Sequence, residues 1–178
     1  MQCERYVIDT NILIAASAAN PDSSVSNDAT PEDPALRLQV LEWLIAFDSS
    51  TTRLVLDGPG KIWEEYQNKL GFNDYGRQVI MHKWSTAAVD NVKVAYDENG
   101  HAVLEESLAL IIHDLSDRKM VAVVLEALKT CPPCVLANAS DTDWYDWQET
   151  LAENGIEVEQ IIHEWAHAKW LEKKAREK

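Results

Sequence analysis

YVIDTNILIAA, residues 6–16, is an apolar run that breaks at Asp9, Thr10 and Asn11 and then resumes. Residues 5–8 read as a short buried strand, and 11–19, rich in Ala, Ile and Leu, as a helix. An acid at a strand-to-helix junction has an ordinary use as a helix cap, worth about 1 kcal/mol. It also has a chemical use if other acids converge on it, so the rest of the chain decides between the two.

Strand and helix signals alternate from there on. Residues 20–34, NPDSSVSNDATPEDP, carry three prolines and many turn formers and read as a surface loop, either a lid or a tolerated insertion. Residues 35–47 have helical spacing, RLVLD (53–57) reads as a strand closed by the turn residues GPG, and 61–70 and 74–87 are helical. NVKVAY (91–96) reads as a strand before the turn DENG. Residues 103–112 and 117–129 read as helices, the second with Ser116 placed to cap it and Asp117 in its first turn. The strand CVLAN (134–138) is followed by a helix from about 143, a strand near 156–159 and a last helix over 160–176. This order predicts one domain over residues 1–178, a three-layer α/β/α sandwich around a central, mainly parallel sheet.

With 178 residues, 46% of them hydrophobic and 26% charged, the chain is long enough for one domain with a sizeable core. No apolar run approaches the roughly 18 residues of a bilayer span. Glu4 and Asp9 interrupt what a secretory signal would need. Cys3, Cys131 and Cys134 cannot build a disulfide framework, and CPPC, with no second CxxC, reads as structural. A cytoplasmic protein is expected. The net charge of −14 argues against non-specific nucleic-acid binding. Residues 169–178, KWLEKKAREK, are the exception, a basic tail on an acidic body.

In open α/β sheets ligands bind beyond the carboxyl ends of the strands, so acids just after strands are the ones to weigh. Asp9 follows the first strand. Glu64 and Glu65 lie in the helix after the second. Asp117 begins a later helix, and Asp141 and Asp143 follow the strand 134–138. Taken alone, Asp117 reads as a cap. Capping does not predict acids at several converging strand ends, and such a group repels itself unless a cation neutralises it. All-oxygen ligation suits Mg²⁺ or Mn²⁺.

The blocks VIDTNILI, IWEEY, SDRKMVAVVLEA and VLANASDTDW, in that order, resemble a PIN domain, a metal-dependent ribonuclease fold found in many bacterial toxins and RNA-processing enzymes. The resemblance covers nearly the whole chain. It implies that Asp9, Glu65, Asp117 and Asp141 are the catalytic acids, and that Asp9, Asp117, Asp141 and Asp143 are the metal ligands. Asn11 and Thr10 would orient Asp9, with Glu64 and Ser140 in support. Glu64 and Glu65 point about 100° apart on a helix, so only one can face the site, and Glu65 is the choice. The looser NAS before the fourth acid leaves Asp141 and Asp143 as alternatives. The implied activity is endoribonucleolytic hydrolysis by metal-activated water, leaving 5′-phosphate and 3′-hydroxyl ends. Arg118, Lys119 and the basic tail are candidates for contacts to phosphate. An antitoxin or other protein partner, and a homodimer, belong to the same expectation.

Two other readings compete. HEWAH, residues 163–167, is a literal H-E-x-x-H, the core of a zinc metallopeptidase when His163 and His167 share a helix face with Glu164 between them. That chemistry needs a third protein ligand, and in the short stretch after His167 Glu172 is at most a weak candidate. An amphipathic helix with Ile161, Ile162, Trp165 and Trp170 inward and the histidines near the surface explains the same residues. A phosphatase of the D-x-D kind is disfavoured by Asn11 in its third position. The last alternative is a non-catalytic interaction domain of the same fold. It would use some of the seven tryptophans, although Trp43, Trp63 and Trp84 fall on helical apolar faces suited to the core.

Overall fold

Tyr6, Val7 and Ile8 are without exposed surface, the burial expected of a strand at the centre of a sheet with helices on both faces. They form β1 (Arg5–Ile8) in the computed structural model, which describes residues 3–177. The other strands are β2 (Arg53–Asp57), β3 (Val89–Val92), β4 (Val135–Asn138) and β5 (Val158–Gln160). Their order across the sheet is β3-β2-β1-β4-β5 and every pairing is parallel. The sheet expected as mainly parallel is therefore wholly so among the described residues.

Parallel neighbours require crossovers, and helices supply them. After β1 come α1 (Thr10–Ser17) and α2 (Pro34–Ser49), and after β2 come α3 (Lys61–Lys69) and α4 (Tyr75–Ser85). Between β3 and β4 lie α5 (Glu106–Ile111) and α6 (Arg118–Thr130). The short α7 (Asp143–Asp146) and α8 (Gln148–Glu153) precede β5, and α9 (His163–Arg176) follows it. Helices α1, α2 and α4 pack on one another, whereas α6 lies across β1, β2, β3 and β4. The result is a three-layer α/β/α sandwich with one continuous apolar cluster. Among the described residues no helix is long and apolar enough to cross a membrane.

Several boundaries differ from the sequence reading. The strand placed at 91–96 pairs instead through Val89–Val92, because its partner β2 ends at Asp57 and the chain turns away, Gly58 N–H donating to the Val92 carbonyl at 2.7 Å. Residues beyond Val92 leave the ladder and form only an isolated antiparallel bridge, Tyr96 to Ala102. The helix expected over 103–112 shrinks to α5. The helix expected from 143 is two short ones. The last helix starts at His163 rather than 160, since 158–160 pair with β4. Trp84, assigned to the core, is 38% exposed and meets Trp63 edge-on, with centroids 5.0 Å apart. Trp144 and Trp147 are the tryptophans that are buried.

Loop 20–34 is not a lid. It follows the end of α1 remote from Asp9 and is fastened from two sides. The Asp74 carboxylate accepts from the hydroxyls of Ser23 and Ser24 and the backbone N–H of Ser24. The Arg37 guanidinium donates to the carbonyls of Ala18, Ser26, Ala29 and Pro31. Against the opposing effect of burial, the bonds from Ser23, Ser24 and the Gly71 N–H hold the Asp74 carboxyl below its ordinary range.

Helices α1 and α4 approach so closely that a Cβ on Gly76 would lie 2.6 Å from the Leu13 carbonyl oxygen. The Gly76 N–H donates to Ser17 Oγ at 2.9 Å, fixing the same crossing. Gly76→Ala must push the two helices apart and is expected to cost about 2–3 kcal/mol, read as a lowered denaturation midpoint in urea. An unchanged midpoint would show that the contact is soft.

Candidate metal centre

From β1 the chain crosses to β2 on one side, while β4 lies on the other and leads on to β5. The carboxyl ends of β1 and β4 therefore flank the point where the order of strands reverses, the place where open parallel sheets leave a crevice. Asp9 is the first residue beyond β1 and its N–H donates to the Ala137 carbonyl of β4 at 2.9 Å. Asp141 sits on the turn after β4. Asp117 immediately precedes α6, the helix that lies across both strands.

One carboxylate oxygen from each of Asp9, Asp117 and Asp141 falls within 4.8 Å of the others. Among the described residues this is the group of three or more His, Cys, Asp or Glu side chains able to converge on one ion. Asp117 occupies the N-cap position of α6 but its side chain makes no capping bond, so the capping reading is set aside. Ser116, expected as the cap, has its N–H and hydroxyl turned to Asp114 Oδ1, both at 2.7 Å.

A hydrogen-bond network holds the three acids in place. The Asn11 N–H donates to Asp9 Oδ1 at 3.0 Å and the buried Trp144 indole N–H to Asp9 Oδ2 at 2.7 Å. Asn11 Oδ1 accepts from the N–H groups of Ala139 and Ser140 at 2.8 and 3.2 Å, and its amide donates to Asn138 Oδ1 at 2.7 Å. Asn138, fully buried, donates in turn to the Asp141 carbonyl and to Gln160 Oε1. The Tyr66 hydroxyl donates to the Ile8 carbonyl, tying α3 to the residue before Asp9.

The remaining candidates stand around this group. Glu65 is turned inward, accepting from the Thr10 hydroxyl and pairing with Lys119 at 2.5 Å, but lies outside the trio. Thr10 thus touches Glu65 rather than Asp9. Glu64 faces solvent and pairs with Lys61. Asp143 also lies outside the trio, its N–H donating to Asp141 Oδ1 and its carboxylate paired with Lys173. Ser140 contributes its backbone N–H. Arg118 donates to the carbonyls of Ala109 and Ile112, and Lys119 to Glu65 and the Ser116 carbonyl, so both cations serve internal contacts.

Crowding of buried acids leaves a clear electrostatic signature. Burial above all, then the Asp141 and Glu65 charges, raise the Asp9 carboxyl to about 7 despite the N–H of Asn11 and the Trp144 indole. Asp117 rises to about 9, chiefly from burial and then from Asp9 and Asp141. Asp141 is raised as well, again mainly by burial. Without a cation these groups retain protons that ordinary carboxylates lose, so uptake of a divalent ion must release protons. Three converging oxygen donors with no nitrogen or sulfur match a hard cation such as Mg²⁺ or Mn²⁺.

The H-E-x-x-H segment is placed differently. The His163 and His167 rings stack at 5.6 Å, and the Tyr145 hydroxyl lies 3.1 Å from His163 Nδ1. Trp170 stacks on His167 at 5.5 Å. Neither histidine belongs to a group of three metal-ligating side chains among the described residues. Three cations of the tail are paired as well, Lys169 with Glu172, Lys173 with Asp143, and Lys174 with Asp146 and Glu177. Cys3, Cys131 and Cys134 are free thiols.

Comparisons with protein-family models, with curated proteins and with solved structures gave no match to this chain.

Proposed function

We propose that this chain is a Mg²⁺- or Mn²⁺-dependent endoribonuclease that hydrolyses RNA phosphodiester bonds in the cytoplasm. The observation carrying the proposal is the convergence of Asp9, Asp117 and Asp141 to within 4.8 Å from three separate parts of the chain. They meet where the strand order reverses, and among the described residues no Arg or Lys ion pair to any of the three carboxylates is found; the nearby lysines pair with Glu65 and Asp143 instead. The resemblance of the four acid-bearing blocks to a PIN domain supports the same reading.

Asp9, Asp117 and Asp141 would hold the ion, with Glu65 at the edge of the site. When bound, such an ion supplies Lewis acidity toward a phosphodiester and lowers the pKa of a water molecule. The side chains do the rest. Asn11 and Trp144 fix Asp9, Asn138 fixes the turn that carries Asp141, and Lys119 with Thr10 keeps Glu65 facing inward. Phosphate contacts away from the ion require cations, and on this acidic body α9 carries a cluster of them. Their exposed ion pairs are individually worth about 0–1 kcal/mol, so phosphate can compete for them. An antitoxin-like protein or a second copy of the chain fits the same function as a partner.

Digestion of a mixed RNA pool tests the proposal. Cleavage in Mn²⁺ that stops with EDTA and leaves 5′-phosphate ends is expected, and cleavage indifferent to EDTA would defeat it. The adjacent glutamates give a sharper check. Glu65→Gln is expected to lower the initial rate by about tenfold or more, since a group acting on proton or charge at the site contributes on that scale, whereas Glu64→Gln leaves it unchanged. The reverse outcome would mean that the site is built on the other face of α3.

A further inference from the structure

We propose that Trp144 is a positioning residue for the metal centre, its indole N–H setting the orientation of Asp9 and binding the Asp141 turn to the end of β1. The inference rests on the metal-centre reading above.

Trp144 has no exposed surface and donates to Asp9 Oδ2 at 2.7 Å. A buried indole N–H needs an acceptor, and a backbone carbonyl is enough for that purpose. Here the acceptor is instead a buried carboxylate, whose orientation the bond fixes. A carboxylate has about four lone-pair positions. The Asn11 N–H takes one on Oδ1 and the indole takes one on Oδ2, which fixes the plane of the group and leaves one position on each oxygen for an ion.

The place of Trp144 in the sequence adds a second effect. It lies three residues after Asp141, on α7, whereas Asp9 directly follows β1. One hydrogen bond therefore ties the segment that carries Asp141 to Asp9, across 135 residues of chain. Trp147 packs edge-on against Trp144 at 5.3 Å and holds the ring in plane. A donor that orients a ligating side chain in this way typically governs metal affinity by 10–100-fold.

Mn²⁺ affinity, measured by titration calorimetry on the whole protein, tests the inference through Trp144→Phe, which keeps an aromatic ring and removes the donor. A Kd weakened by about tenfold or more is expected. Trp147→Phe, which loosens the edge-on contact but keeps the indole donor of Trp144, is expected to weaken Kd much less than Trp144→Phe while lowering the melting temperature. Equal Mn²⁺ affinity in wild type and Trp144→Phe overturns the positioning role. No Mn²⁺ binding by wild type defeats the metal centre instead. A readout that needs no substitution is the Trp144 indole ¹H–¹⁵N resonance of wild type during Mg²⁺ titration. It is expected to move with saturation, and an unmoved resonance in a protein that binds Mg²⁺ overturns the inference.

Discussion

Asp9→Asn is expected to reduce Mn²⁺-dependent RNA hydrolysis by about 10³-fold or more with the fold retained, which corresponds to about 4 kcal/mol of transition-state stabilisation. The amide matches the carboxylate in shape, so packing around β1 is undisturbed. Its chemistry is different. Asp9 accepts one hydrogen bond on each oxygen, and an amide has only one oxygen. Its NH₂ must then face either the Asn11 N–H or the Trp144 indole, donor against donor. The negative charge is lost as well, and with it a ligand suited to a hard cation. Initial rates on a fluorophore-quencher RNA measure the effect. Activity within tenfold of wild type would mean that the hydrolysis comes from elsewhere, a contaminant included.

Asp117→Asn is expected to separate stability from function in the opposite sense. In the metal-free protein this substitution should raise the melting temperature at pH 8.5 by several degrees, about 2 kcal/mol at the few degrees per kcal/mol typical of this size, and remove the response to Mn²⁺. The folded state holds the Asp117 carboxyl at about 9, against an ordinary 3.8. Between those values the folded protein keeps a proton that the unfolded chain has released. Stability of the metal-free protein therefore falls as pH rises from about 4 to 9, and the advantage of the Asn variant grows over the same interval. Mn²⁺ reverses the trend for wild type by displacing that proton, so its stabilisation should be larger at pH 8.5 than at pH 5.5. Thermal melts of both proteins at the two pH values, with and without Mn²⁺, measure all of these. A destabilised Asn variant at pH 8.5 would show that Asp117 is a structural acid.

Much of the architecture was readable because burial writes itself into composition. The all-apolar run before Asp9 and the alternation of strand and helix signals suffice to specify a helix-covered parallel sheet. The failures were at short elements. Val89–Val92 carries two polar residues and pairs only because β2 lies beside it, and α5 and α7 are too brief for periodicity to define. At the candidate site Asp9 and Asp141 could be picked out by their place after strands, Asp117 entered only through the resemblance, and of the adjacent glutamates Glu65 is the inward one. Their partners could not. Trp144, Asn138 and Gln160 look like ordinary core and strand-end residues until the β1–β4 register brings them to Asp9 and Asn11. The hydroxyl of Thr10, beside Asp9 in sequence, turned out to serve Glu65, a helix away. Local adjacency suggested one partner and the packing of α3 supplied another.

Because β1 is the middle strand, it can be only half completed for most of the time the chain is being made. Its neighbour β2 follows within about 50 residues, but β4 is separated from it by roughly 130. At translation rates of about 5–20 residues per second this edge stays unpartnered for on the order of ten seconds. During that interval Tyr6, Val7 and Ile8 are offered to any other strand edge nearby, so recombinant yield should depend on holdase chaperones and on growth temperature more than the stability of the finished molecule suggests.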